Sequence, residues 1–146
     1  MAAVRSFRAE AKRHPDDALT QYLLAEALSE EASPVGSVDH QEEMEAANRA
    51  VKLNPKLAQA QDLLSTVYLQ EGETNLAIEH SQAALRVSPG DQAAIYHLIL
   101  ALRRASRKEE IPPLIKQLAE LRQADQSKSR QKQRYRLSIE PPPESQ

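Results

Sequence analysis

With 146 residues, 40% of them apolar and 27% charged, the chain has the composition of a soluble globular domain. A formal net charge of −2 gives no global pull toward nucleic acid or an anionic membrane, and the lack of cysteine excludes disulfides and thiolate chemistry. No apolar run approaches the roughly 20 residues of a membrane span and no signal peptide opens the chain, so a cytoplasmic location is the default expectation.

Residues Ala2 to Arg13 have Val4, Phe7 and Ala11 at helical spacing and end in the turn His14-Pro15-Asp16-Asp17. In the register of the later units, this is the second helix of a pair whose first helix is absent. The chain is then expected to be the C-terminal piece of a longer repeat protein, or to carry an atypical end cap. In either case Val4 and Phe7 keep an unshielded side, which makes them candidates for self-association, including a homodimer through the N-terminal helix.

The unit 16–55 comes next. Asp16 or Asp17 caps a helix running to about Glu31, in which Leu24-Ala25 and Leu28 occupy the positions that Leu64-Ser65 and Tyr68 hold in the next unit. Ala32 to Val38 contains Pro34 and Gly36 and reads as a loop insertion. Asp39 with Glu42 makes a capping-box-like start for a second helix, which continues through Met44, Ala47, Ala50 and Val51 to about Leu53. Asn54-Pro55 closes it. The prolines Pro15 and Pro55 lie 40 residues apart, six more than the 34 that separate Pro55 from Pro89. A tolerated surface insertion accounts for the excess.

The unit 56–89 has the clearest pattern. Leu57, Ala60, Leu63, Leu64, Val67 and Tyr68 form one helical face. Gly72 supplies the reversal, Thr74 is placed to cap the next helix, and Ala77, Ile78, Ala84, Leu85 and Val87 form the second stripe. Ser88-Pro89-Gly90-Asp91 ends it. Two such short amphipathic helices cannot bury their faces alone and must stack on neighbours.

The last unit, 90–121, opens at Asp91 with a helix carrying Ile95, Leu98, Ile99, Ala101 and Leu102. Pro112-Pro113 then interrupts the pattern, so the second helix is expected to start afresh there, with Leu114, Ile115, Leu118 and Leu121 as its apolar stripe. Ile111 stands where the other units place a small alanine. Beyond Leu121 the apolar stripe ends while helix formers continue. Residues 122–146 then read as a basic helix extension and a proline-rich disordered tail. Arg122, Lys128, Arg130, Lys132, Arg134 and Arg136, against Asp125, are distributed around such a helix and imply a solvated end; Tyr135 is a lone stacking candidate. Pro141-Pro142-Pro143 is too short to define a ligand motif.

Leu64-Ser65, Tyr68, Gly72, Ala77, Ala84 and Pro89 together resemble the tetratricopeptide repeat (TPR) signature. The sequence departs from it at Gln61, where tryptophan is usual, and at Ser81, where a large aromatic is usual. The resemblance implies an all-α, right-handed α-solenoid of antiparallel helix pairs, about seven helices in this chain, covering roughly Ala2 to Leu121. It also implies that the first helices line a concave groove for peptides or extended protein segments. Groove candidates are Tyr22, Glu26, Ser29 and Glu30, then Gln59, Asp62, Thr66 and Leu69, then Tyr96, Leu100, Arg103 and Arg104. The Lys, Asn and Arg clamp by which one subclass holds a peptide's terminal carboxylate is missing: those places hold Tyr22, Glu26, Leu63, Ala93 and His97.

Catalytic signatures are absent. His14, His40, His80 and His97 lie in separate units, and acids beside His40 are explained by helix capping, so no metal and no cofactor is expected. Neither a glycine-rich phosphate loop nor a nucleophile motif occurs, and an enzyme is not expected. The first functional expectation is a non-catalytic scaffold or adaptor that binds a protein segment in the groove, with Tyr22 and Tyr96 as anchors and Glu26, Asp62 and Arg103 setting charge complementarity. The alternative is a structural self-association module or part of a larger repeat protein. A nucleic-acid adaptor acting through the basic tail ranks third.

Overall fold

The computed structural model describes residues 2–139. Its helices are α1 (Ala2–Arg13), α2 (Ala18–Glu30), α3 (Val38–Leu53), α4 (Ala58–Glu71), α5 (Thr74–Val87), α6 (Gln92–Arg104) and α7 (Ile111–Ile139), with a 3₁₀ turn at Lys108–Glu110. No strand occurs among the described residues, and the seven helices stack as a TPR-like solenoid. The loop between α2 and α3 covers 31–37, against 72–73 between α4 and α5. Pro141 to Pro143 lie outside the described residues.

Local chemistry sets the helix boundaries. Asp17 accepts the amide of Thr20 at 3.1 Å to start α2, and Asp91 accepts that of Ala94 at 3.1 Å to start α6. Two other starts differ from the sequence expectation. Ser37, not Asp39, caps α3, accepting from the amide of His40 at 3.1 Å. Glu42 does not close a capping box because Arg8 takes its carboxylate from α1 in a two-point pair of 2.8 and 2.6 Å. Thr74 does not cap α5 either. Gly72 turns into the left-handed region (φ 80°, ψ 8°), and the amide of Glu73 bonds back to the carbonyl of Tyr68 at 2.9 Å, so the next helix has begun by Thr74. The same closure ends α6 without a glycine: Ser106 has φ 59° and Arg107 donates its amide to the carbonyl of Leu102 at 2.9 Å.

Small side chains let the helices approach. Ala25, Ala47, Ala60, Ala77, Ala84 and Ala101 are wholly buried. The two departures from the repeat signature have physical counterparts. Ser65 donates to the carbonyl of Ala77 at 2.9 Å and lies 2.5 Å from the hydroxyl of Ser81, so a serine pair closes the α4/α5 contact that a large aromatic would otherwise fill. Gln61 is buried; its amide donates to the carbonyl of Pro55 at 3.0 Å and its Oε1 accepts from His80 Nδ1 at 2.7 Å. The His80 ring in turn stacks on Tyr68 at 5.5 Å. Gln21 makes the equivalent bond to the carbonyl of Pro15 at 3.2 Å.

Helix neighbours define the two sides of the stack. Among the described residues, the backbones of α2 and α4, and of α4 and α6, come close, while those of α1 and α3, α3 and α5, and α5 and α7 stand further apart. A layer drawn together on one side curves toward that side, so α2, α4 and α6 form the inner face.

At the C-terminal end, Ile111 and Leu118 are buried against α6, and Gln92 donates to Asp125 at 2.6 Å. Beyond that bond α7 continues to Ile139 with all of its residues exposed. No helix among the described residues is long and apolar enough to cross a membrane.

Candidate binding face on the inner helices

The residues of the inner face are positioned by helix periodicity. Tyr22 and Glu26 stand one turn apart on α2, and the Tyr22 hydroxyl donates to Glu26 Oε1 at 2.8 Å. Asp62 occupies the matching place on α4, and its charge is felt at Tyr22. Burial, the bond to Glu26 and the charges of Glu26 and Asp62 together push the Tyr22 phenol well above its ordinary pKa, so it stays protonated and donating. Asp62 Oδ1 in turn lies 2.7 Å from His97 Nδ1 on α6. The result is one polar lane, Tyr22, Glu26, Asp62 and His97, crossing all three inner helices.

The bond to Asp62 is the main reason that the His97 imidazole binds its proton more tightly than usual, against an opposing effect of burial. The lane therefore changes character with pH. With His97 protonated, Asp62 is balanced and Glu26 is the outstanding acid. With His97 neutral, two acids face the lane.

Other groove candidates are placed as follows. Thr66 is half-buried and donates its hydroxyl back to the carbonyl of Asp62 at 3.1 Å. Tyr96 is 49% exposed beside His97, ring centroids 5.8 Å apart, and Arg103 and Glu30 are exposed nearer the helix ends. Leu69 is not a groove residue: it is buried in the core against α5 and α6. Arg104 is committed to structure, donating to the carbonyl of Leu69 at 2.8 Å. Ser29 turns to the buried carboxyl of Glu43.

Of the two self-association candidates, Val4 is only 4% exposed and packs in the core with Leu24 and Leu28. It offers no open surface, because α2 covers the face that carries it. Phe7 is half-buried against the same cluster. The Asp62–His97 bond was missed in the sequence; its only signal there is a spacing of 35 residues, close to the repeat period.

No group of three or more His, Asp or Glu side chains that could hold a metal ion occurs among the described residues. A cavity of about 280 Å³ lies between α1 and α3, bordered by Arg8, Lys12, Glu42 and Arg49 and floored by Gln21 and Leu24. It is the gap left where the outer helices splay.

No family model and no curated protein sequence matches the chain. Solved structures do match. A crystal structure of MamA superposes with a TM-score of 0.73 at 23% identity, over 85% of this chain and 69% of that one. A second MamA crystal structure gives 0.70 at 23% identity, over 85% of this chain and 64% of that one. MamA 41-end from Desulfovibrio magneticus RS-1 gives 0.69 at 22% identity, over 81% and 63%. The chain thus spans about two thirds of the length of these neighbours. At such identities the likeness concerns the fold alone, and the chain has the fold of an all-α, TPR-like helical solenoid.

Proposed function

We propose that this chain is a non-catalytic interaction scaffold whose inner face binds an extended or helical segment of another protein. The observation that carries this reading is the polar lane from Tyr22 to His97: a 2.8 Å bond fixes Tyr22 on Glu26 within α2, a 2.7 Å bond joins Asp62 of α4 to His97 of α6, and the charge of Asp62 reaches Tyr22. Its side chains are fixed by one another, so little rotamer freedom is lost when a ligand docks on them. Tyr22 and the exposed ring of Tyr96 supply amphipathic contact area at either end of the lane, and Arg103 lies beyond Tyr96. Glu26, Glu30 and Asp62 favour a ligand with basic side chains toward the α2 end.

The reading is tested by selecting binders from a displayed random peptide library and measuring the affinity of the winners for the protein and for Glu26→Lys. Enriched peptides that lose at least about tenfold in affinity on Glu26→Lys, with the melting temperature unchanged, support it. Peptides indifferent to Glu26→Lys and to Tyr22→Ala would remove the inner face from consideration.

A further inference from the structure

Behind the inner face, at the start of α3, two buried side chains approach each other and each keeps one polar atom without a hydrogen-bond partner. His40 is 1% exposed and Glu43 2%. His40 Nε2 lies 2.7 Å from Glu71 Oε1 on α4, an acceptor, so this nitrogen carries a hydrogen. The other ring nitrogen, Nδ1, faces Glu43 at 3.5 Å from Oε2, and neither His40 Nδ1 nor Glu43 Oε1 has a hydrogen-bond partner. A bare imidazole nitrogen and a carboxylate are both acceptors. Placed face to face out of contact with water they repel, and neither His40 Nδ1 nor Glu43 Oε1 recovers its lost hydration.

One proton removes the conflict. On Nδ1 it makes an imidazolium between two carboxylates; on Glu43 it makes a carboxyl that donates to Nδ1. We infer that His40 and Glu43 share one proton in the folded protein and form a pH-sensitive latch at the buried start of α3, whose contribution to stability is lost when that proton is given up to water. Burial of Glu43 acts in the same direction, pushing its carboxyl above the usual range despite the opposing effects of Ser29 and His40. The proton belongs to the pair, and its loss is a property of both groups.

The surrounding groups do not supply an alternative partner. Ser29 of α2 reaches the Glu43 carboxyl, and Glu71 of α4 is engaged by Nε2. On α3 itself Asp39 and Glu42 turn toward Arg8 of α1, at 3.8 and 2.6 Å. The pair lies beside the junction of α3 and α4, where His40 Nε2 bonds Glu71. The inference does not depend on what the inner face binds.

The sign follows from proton counting. In the unfolded chain both groups have shed this proton above the ordinary imidazole range, whereas the folded pair keeps it. Stability therefore falls as pH rises from there through the value at which the folded pair titrates.

The test compares urea unfolding of the natural chain and Glu43→Gln between about pH 6 and 9, with His40 ring-nitrogen shifts followed by NMR in the natural chain. The amide introduced by Glu43→Gln keeps the shape of the carboxyl and can donate to Nδ1 at every pH. The natural chain is expected to gain up to about tenfold per pH unit in its unfolding constant relative to the variant, and Nδ1 to move from a hydrogen-bonded or protonated shift to a bare one. Parallel pH profiles, or an Nδ1 that is bare at neutral pH, would overturn the latch. The NMR arm decides the matter even if the variant does not fold.

Discussion

Asp62 and His97, on neighbouring inner helices, are joined by a 2.7 Å bond between Oδ1 and Nδ1, and this bond raises the imidazole's proton affinity. His80, one helix away, is shifted the other way, because burial disfavours its charge. The two should therefore titrate on opposite sides of the ordinary imidazole value. His97 contributes stability that is present below the unfolded value and lost as pH rises through its folded one; His80 contributes stability present above the unfolded value and lost as pH falls. Proton NMR titration of the imidazole resonances checks the order, and Asp62→Asn should bring the His97 midpoint down. A His97 midpoint at or below that of His80 would show that the bond is not made in solution.

Gln61 stands in the place of a tryptophan and fills it with hydrogen bonds, to the carbonyl of Pro55 and to His80. Gln61→Leu keeps the bulk but strands both partners, which should cost about 1–3 kcal/mol in urea unfolding. Because Gln61 accepts from His80 Nδ1, the substitution should also change the ring-nitrogen shifts of His80. Loss of less than about 0.5 kcal/mol would mean that water replaces the amide without penalty.

Ser106 closes α6 at φ 59°, where Gly72 at φ 80° closes α4. A left-handed residue with a Cβ costs roughly 1–2 kcal/mol relative to glycine, offset in part by the glycine's extra freedom when unfolded. Ser106→Gly is expected to raise the unfolding free energy by about 0.5–1 kcal/mol. A destabilised variant would indicate that the serine side chain contributes to this turn.

Ala77 is wholly buried where α5 crosses α4, and its carbonyl accepts from Ser65. Enlarging it should overpack the contact by roughly 1–3 kcal/mol, read as a lower melting temperature of Ala77→Leu. An unchanged melting temperature would contradict the register in which Ala77 faces α4.

Much of the fold was legible in the sequence because its determinants are local or periodic. Prolines 34 residues apart, Gly72 and the alanines at close crossings mark helix ends and contacts by residue type alone. Capping was less legible where a distant group competed: Glu42 is drawn to Arg8 across the stack, 34 residues away. The departures at Gln61 and Ser81 were visible as departures, but their polar solution depends on His80, Ser65 and two carbonyls that only packing brings together. Register alone placed Tyr22 and Asp62 on the first helices of their units, and they stand on α2 and α4. Val4 and Leu69 were misplaced because a helix has flanks, and only the angle of its neighbour decides which flank is covered.

Where a partner segment sits on the solenoid is measured most directly by NMR shift mapping of the isotope-labelled chain on titration with a peptide selected from the displayed library. Binding to the inner face predicts perturbations concentrated at Tyr22, Glu26, Asp62, Thr66 and Tyr96 on α2, α4 and α6. Perturbations confined to the outer helices α3 and α5, or to the exposed part of α7, would contradict it.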